Sequence, residues 1–132
     1  LTGDSHDRER AWYRKTQLPA FFFSSLAGGL LSGKVQYARR EEMSRILTPL
    51  FVRGYGGEDN LERLRRAEKL AREKECSVSQ LALAWVLCQG MNGFALCSST
   101  HPGRILENAQ AADLFLTEEE SRYLNLEISC LP

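Results

Sequence analysis

The sequence predicts an α/β fold in which a helix-rich chain contains about two parallel strands. Two short, continuous apolar runs, at 20–24 and 94–97, are typical of strands that are buried on both faces of a parallel sheet. Helical patterns alternate with these runs, and such alternation indicates parallel pairing through helical crossovers. The predicted order is helix, strand, glycine-rich loop, long polar segment, two helices, strand and two further helices.

The first part of the chain combines a helix, a strand and two loops. A helix is expected within 4–17, with Asp4 or Ser5 as its N-cap and Pro19 as its stop. The strand that follows leads into a glycine-rich loop, in which the backbone can approach a ligand closely. Residues 34–58 are polar and poorly periodic, so they are expected to form a long loop excursion.

Helix signals dominate the second part of the chain. Three pairs have the spacing of a capping box: Asp59 with Glu62, Ser77 with Gln80, and Thr117 with Glu120. Another helix should begin near Pro102, since Pro is well tolerated in a first turn, and the last helix should end near Ile128.

Composition and charge exclude several classes of protein. Lys and Arg number 17 and Asp and Glu also 17, so the chain has no general attraction to nucleic acid. The richest apolar stretch, 18–31, is interrupted by Ser and Gly, so no membrane helix is expected. Residues 4–10 are too polar for a signal peptide, and the four scattered cysteines match no metal or disulfide pattern, which favours a cytoplasmic protein. The first residue is Leu1 rather than Met, so the chain is expected to be a piece of something longer.

The segment 23–34, Phe-Ser-Ser-Leu-Ala-Gly-Gly-Leu-Leu-Ser-Gly-Lys, leaves the C-terminal end of the first strand. Its glycines and hydroxyls can present backbone N–H groups to phosphate oxygens, and Lys34 adds a positive charge. It is not a Walker A loop, because Val35 stands where that loop has Ser or Thr. From the spacing alone, an anion site and a tight turn without a ligand are equally expected.

A second polar segment joins the second strand to the next helix. Three hydroxyls precede the first helical turn and a cation lies on it: Ser98, Ser99, Thr100 and Arg104. Unpaired N–H groups at a helix start favour anions, and a guanidinium suits phosphate. Glu107 and Asn108 lie one turn further on, where they could receive a purine. The alternative is a plain helix start, with Ser99 or Thr100 as N-cap and an exposed Arg104–Glu107 pair.

Together, the two segments resemble the C-terminal motifs of the aldo-keto reductases in order and in separation. In that family the penultimate strand runs into Ser-Pro-Leu-x-x-Gly-x-Leu-x-Gly-Lys, which the sequence matches at 24–34 except for the Pro. Gln-Leu-Ala-Leu-x-Trp-x-Leu follows at 80–87, Arg-x-x-Glu-Asn at 104–108 and Leu-Thr-x-Glu-Glu at 116–120. The resemblance covers roughly residues 15–127.

The resemblance implies the C-terminal part of a (β/α)8 barrel that binds NADPH at its mouth and reduces aldehydes or ketones by hydride transfer. The family's cofactor positions fall on Phe23 at the nicotinamide, on Ser24, Leu26, Gly28 and Lys34 along the pyrophosphate, on Ser98, Ser99, Thr100 and Arg104 at the 2′-phosphate, and on Glu107 and Asn108 at the adenine.

The family's catalytic Asp, Tyr, Lys and His belong to earlier strands, and no residue of this sequence matches them. Residues 1–132 are therefore expected to be inactive alone and to need the missing N-terminal part of the barrel, or another copy of the chain, as partner. In such a fragment Leu81, Trp85 and the apolar run at 21–23 should be partly exposed. Two alternatives remain at this point, a non-catalytic nucleotide-sensing or interaction subunit on the same fold and a truncated product without a ligand.

Overall fold

The computed structural model describes residues 6–132. The α-helices in this range are α1 (Asp7–Thr16), α2 (Met43–Ile46), α3 (Pro49–Tyr55), α4 (Glu58–Glu73), α5 (Val78–Leu87), α6 (Pro102–Ala109) and α7 (Glu118–Leu124). Short 3-10 helices occupy Ala27–Gly29, Tyr37–Glu42 and Gln110–Asp113. The strands are β1 (Ala20–Phe22) and β2 (Gly93–Ala95).

The two strands pair in parallel, with Phe21 opposite Phe94 in the register. This pairing confirms the predicted helix-rich α/β arrangement with two parallel strands. Each strand is three residues long, shorter than the apolar runs at 20–24 and 94–97. At the end of β1 the cause is local, because Ser24 has a φ of 54° and so cannot continue an extended strand.

Two of the three expected capping boxes are present. The Ser77 hydroxyl accepts a hydrogen bond from the Gln80 backbone N–H at 3.2 Å, and the Gln80 side chain accepts from the Ser77 N–H. Thr117 and Glu120 form the same reciprocal pair at the start of α7. Each box satisfies two N–H groups that a helix start would otherwise leave unpaired.

The start of α4 differs from the prediction. Its N-cap is Gly57, which has no side chain that could form a capping box, so the capping box expected at Asp59 is wrong. Asp59 lies instead inside the first turn beside Glu58, where negative charge is favourable to the helix dipole. The apolar stripe predicted for this helix is confirmed, because its members are all buried: Leu61, Leu64, Ala67, Leu70 and Ala71.

Other helix ends agree with the sequence only in part. Helix α1 ends before Pro19 as expected, while Asp4 and Ser5, its expected caps, lie outside the described residues. Helix α6 begins at Pro102 as expected. Helix α7 stops at Leu124 rather than near Ile128, because the chain then turns through a left-handed residue at 126.

Residues 34–58, expected to form a loop excursion, contain three short helices of four to seven residues. Buried Val35, Met43 and Leu47 from this segment pack with Leu61 and Leu64 of α4 in one apolar cluster. Periodicity could not reveal these helices, since each completes at most about two turns.

The rest of the core lies between α4, α5 and α7. Leu81 and Ala84 of α5 pack there with Leu70 of α4 and Leu124 of α7. The expectation that Leu81 would be exposed is wrong, because helices cover it from both sides and leave it fully buried. Trp85 is half-buried, and its indole N–H donates to the Ser121 carbonyl at 3.3 Å.

The outer face of the sheet is apolar and uncovered. Phe21 is 64% exposed and stacks on Phe94 with ring centroids 5.1 Å apart. Phe23 and Leu96, which directly follow β1 and β2, are also exposed. The exposure expected for Phe21 and Phe23 is therefore confirmed. Among residues 6–132, no helix combines the length and the apolar character needed to cross a membrane.

Candidate functional site

A cleft of about 660 Å³ lies between the loop that follows β1 and the loop that follows β2. It brings together most of the residues that the sequence singles out: Ser24, Leu26, Gly28 and Lys34 from the first loop and Ser98, Ser99, Arg104, Glu107 and Asn108 from the second. Segments some 70 residues apart meet there because the carboxyl ends of neighbouring parallel strands lie at the same edge of a sheet.

Two of the predicted residues lie elsewhere. Phe23 is 81% exposed and lines a smaller, mostly apolar cavity of about 300 Å³, whose wall includes Trp85 of α5. Ser24 borders both spaces, so Phe23 stands at their junction rather than inside the cleft. Thr100 does not line the cleft, although its neighbours Ser98 and Ser99 do.

The loop after β1 reverses direction through several left-handed residues. Ser24, Ala27 and Gly28 have φ values of 54°, 51° and 62°. The Ala27 N–H donates to the Ser24 carbonyl at 2.7 Å, and the Ser25 hydroxyl donates to the Phe22 carbonyl at 2.8 Å. A non-glycine residue in this region costs about 1 kcal/mol or more, and such strain is concentrated at ligand sites in many proteins.

Gly28 has a packing reason to be glycine. A Cβ at this position would lie 2.5 Å from the ring of Phe51, so the ring of α3 occupies the space that a side chain would need. The glycine therefore lets α3 pack directly on the loop and hold one wall of the cleft in place. Gly33, by contrast, has a φ of 78° with open space around it.

Two cations of the cleft are available to a ligand. Among the described residues, neither Lys34 nor Arg104 has a carboxylate within ion-pair distance, and Glu107 likewise has no cationic partner. The Arg104–Glu107 pair of the alternative interpretation is therefore absent. Two cations that have no carboxylate partner within residues 6–132 therefore line one concave space, and their charge favours phosphate or another anion there.

The start of α6 is not capped as the alternative interpretation required. Its N-cap is His101, whose side chain makes no capping bond, and the Ser99 hydroxyl accepts from the His101 N–H at 3.1 Å. Neither Ser99 nor Thr100 caps the helix. The Ser99 hydroxyl instead stabilises the turn before the helix, and Ser99 also lines the cleft.

Further residues of the cleft were missed by sequence reasoning. Ser77 and Ser79 at the start of α5 line it, and their hydroxyls lie 3.0 Å apart. Ile46 and Leu47 approach it from the segment that was expected to be a loop excursion. The capping-box spacing at Ser77 was visible in the sequence, but its position beside the two loops depends on the tertiary packing of α5.

A family model described as "Aldo/keto reductase family" matches residues 10–126, and the chain therefore belongs to this family. The family suggests an oxidoreductase and generally uses NADH or NADPH.

Two relatives illustrate the similarity. An aldo-keto reductase of Gibberella moniliformis is 44% identical over 52 residues, which is 39% of this chain. A Saccharomyces cerevisiae protein, provisionally named an aryl-alcohol dehydrogenase, is 36% identical over 67 residues, or 51% of this chain. The aligned parts cover only 15% and 19% of these two relatives.

Proposed function

We propose that the cleft binds NADP(H) and that this chain is the cofactor-holding C-terminal part of an aldo-keto reductase barrel that reduces aldehydes or ketones. The observation that carries the proposal is that Lys34 and Arg104, neither of which has a carboxylate partner among the described residues, line one cleft at the carboxyl end of two parallel strands. Barrels of parallel strands commonly bind phosphate groups at this end. The cleft volume also falls within the range of about 300–1,000 Å³ that is usual for ligand sites.

The residues present fit the chemistry of such a cofactor. Arg104, with the hydroxyls of Ser98 and Ser99, would hold the 2′-phosphate, since a guanidinium and hydroxyls are good partners for a dianion. Lys34 and the loop after β1 would hold the pyrophosphate. Glu107 and Asn108 would receive the adenine through their hydrogen-bonding side chains.

The other end of the cofactor is assigned to Phe23, whose exposed ring offers an apolar platform for the nicotinamide. NADPH, when bound, supplies the hydride, while this chain binds and orients it. The proton donor and its supporting Asp, Lys and His are proposed to come from other strands of the barrel, so the reaction needs more than residues 1–132.

The test is an NADPH fluorescence titration of the full protein and of the double variant Lys34→Ala/Arg104→Ala. The double variant should bind about 100-fold or more weakly, because two charge-assisted contacts are lost. Lys69→Ala/Arg72→Ala, on the exposed side of α4, removes the same charges away from the cleft and should leave the affinity unchanged. Equal affinity in the wild type and the first variant contradicts the proposal.

The rival proposal is a nucleotide-sensing or interaction subunit that binds NADPH without turnover. The rest of the barrel separates it from the enzyme, because an intact Asp, Tyr, Lys and His there would favour turnover. Oxidation of NADPH by the full protein in the presence of a panel of aldehydes and ketones separates the two. Tight binding without turnover of any of them supports the sensor.

A further inference from the structure

Gln80, in the first turn of α5, connects two elements that form walls of the cleft. Its side-chain oxygen accepts from the Ser77 N–H at 2.9 Å, which closes the capping box. Its side-chain nitrogen donates to the Glu107 carbonyl at 3.1 Å and to the side-chain oxygen of Gln110 at 2.9 Å. One amide thus joins the start of α5 to the last turn of α6 and the 3-10 helix that follows it.

These contacts match the hydrogen-bonding capacity of the amide. A glutamine side chain offers an oxygen acceptor and two N–H donors, and Gln80 uses the oxygen once and the nitrogen twice. A carboxylate could not replace the contact with the Glu107 carbonyl, because both groups only accept hydrogen bonds. The capping box by itself therefore explains the acceptor of Gln80 and leaves its two donor contacts without a role in the helix start.

The donor contacts bear directly on the cleft. Glu107 and Asn108 line it from α6, and Ser77 lines it from the start of α5. The carbonyl that Gln80 binds belongs to Glu107 itself, so the contact fixes the position of this residue along and around the axis of α6.

We propose that Gln80 is a positioning residue that locks α6 against the start of α5 and thereby presents Glu107 and Asn108 to the adenine of the bound cofactor. The proposal rests on the proposed NADP(H) site, but the lock between the two helices is a property of this chain that can be measured without a ligand.

The main variant is Gln80→Glu, which keeps the size of the side chain and the capping acceptor but loses both donors. Its carboxylate would face the Glu107 backbone carbonyl, which cannot donate to it, so α6 should move away even if the Gln110 amide turns its NH2 group toward the carboxylate. In the full protein, the dissociation constants of NADPH and of adenosine 2′,5′-bisphosphate should both rise roughly tenfold. Adding Gln110→Lys places an ammonium opposite the new carboxylate and should restore most of the lost affinity.

The matched control is Thr117→Ala, which breaks the equivalent capping box of α7 away from the cleft. It should lower the melting temperature without changing the affinity for either nucleotide. A loss of affinity in Gln80→Glu that Gln110→Lys does not rescue, or unchanged affinity in Gln80→Glu, overturns the positioning role. If Gln80→Glu does not fold, Gln110→Ala serves instead, because it removes only one of the two donor contacts. It should raise the dissociation constants of both nucleotides about twofold to threefold. Unchanged binding by this variant would also overturn the positioning role.

Hydrogen exchange separates failure of this role from failure of the proposed site. Without any nucleotide, Gln80→Glu should speed exchange of backbone amides in 105–113 and leave those in 118–124 unchanged. Unchanged protection of 105–113 overturns the lock whatever binds in the cleft. If Gln80→Glu exchanges faster while the wild type binds neither nucleotide, the contact between the two helices is supported and the proposed NADP(H) site is wrong.

Discussion

Arg104 is the residue on which the choice between NADPH and NADH is expected to depend. Its guanidinium has no carboxylate partner among the described residues and lies in the cleft beside Ser98 and Ser99. Arg104→Ala in the full protein should make the binding free energy of NADPH about 1–3 kcal/mol less favourable and leave that of NADH unchanged, because only NADPH carries the 2′-phosphate dianion. Fluorescence titration with both cofactors measures the difference.

The control for this variant is Arg72→Ala, which removes an exposed guanidinium from the last turn of α4. It should change neither affinity. Equal losses for NADPH and NADH in Arg104→Ala would show that the guanidinium contacts a part common to both cofactors, and the 2′-phosphate role would then be wrong.

Phe23 can be tested separately because it lies outside the cleft that holds the other assigned residues. Phe23→Leu should weaken NADPH about fivefold, since a ring that stacks on the nicotinamide is lost. Adenosine 2′,5′-bisphosphate has no nicotinamide and should bind the variant normally. Phe21→Leu is the matched control, because Phe21 is also exposed but does not line the cavity that Phe23 lines. A similar effect of both substitutions, or an effect of Phe23→Leu on both nucleotides, contradicts the stacking role.

At the scale of single residues, the sequence predicted most of the cleft because parallel topology decides which loops meet. Strand alternation explains the exposure of Phe21, which follows buried Ala20 in β1, whereas Phe23 lies beyond the end of the strand. Ser77 and Ser79 could not be predicted, since the packing of α5 against the two loops depends on contacts between elements far apart in the chain.

Helix α4 holds the C-terminal segment through one buried arginine. Arg66 is only 8% exposed and donates to the Tyr123 carbonyl at 2.7 Å and to the Ile128 carbonyl at 2.6 Å. Its guanidinium also lies 4.6 Å from the centroid of the Tyr123 ring, and it pairs with Glu62 one turn earlier in α4. A single side chain therefore connects α4 to the end of α7 and to the segment that follows it.

Arg66→Met should destabilise the protein by about 2–4 kcal/mol, because the Ile128 carbonyl loses its donor, the Tyr123 carbonyl retains the Leu126 N–H but loses the guanidinium, and the contact with the Tyr123 ring is lost. Urea unfolding followed by circular dichroism measures the loss. Arg65→Met is the matched control, since Arg65 pairs with the same Glu62 but is about half exposed, and it should cost less than about 1 kcal/mol. Equal losses of stability in the two variants would contradict the proposed role of Arg66 in holding the C-terminal segment on α4.

The partner of this arginine gives a pH dependence. Hydrogen bonds from Arg65 and Arg66 lower the pKa of Glu62 from 4.5 to about 2. A carboxylate whose pKa is lower in the folded state stabilises fully above its ordinary value and loses this contribution as pH falls toward the lowered one. The stability difference between wild type and Glu62→Gln should therefore be constant above about pH 5 and shrink between pH 4.5 and 2. Glu73→Gln is the control, because the ion pair between Glu73 and Lys69 is exposed and longer, and its stability difference from wild type should vary little with pH. A difference for Glu62→Gln that does not vary with pH would show that the pKa of Glu62 is not lowered in the folded protein.

Helices α4, α5 and α7 show why the sequence predicts some helix starts correctly and others wrongly. The boxes at Ser77 and Thr117 form because a hydroxyl stands directly before the first turn. At α4 the same spacing occurs with Asp59, but the helix begins one residue earlier, at Glu58, with Gly57 as its N-cap, so Asp59 cannot cap it. The short helices of 34–58 are stabilised by their packing on α4 rather than by their own periodicity.

At the scale of the whole molecule, the core lies on the helix side of the sheet and leaves the other face bare. The two strands bury Ala20, while Phe21, Phe23, Phe94 and Leu96 remain exposed. A sheet of two three-residue strands has little stability of its own, and no other strand within residues 6–132 pairs with either of its outer edges. This arrangement is what the proposed (β/α)8 barrel requires of its last two strands, because the inward face of a barrel strand packs against the strands opposite.

The isolated chain of residues 1–132 is therefore expected to associate with itself, through the face that the remaining strands would cover in a barrel. Sedimentation velocity at micromolar concentrations should show dimers or larger species, because apolar patches of this kind drive association in water. Phe21→Ser/Phe94→Ser should shift the chain toward monomer, since it removes the stacked pair at the centre of the face. Leu50→Ser/Phe115→Ser removes two exposed apolar side chains elsewhere and should not. A compact monomer of the wild-type chain that unfolds cooperatively and binds no apolar dye would contradict the half-barrel interpretation, because no uncovered sheet face would then need a partner.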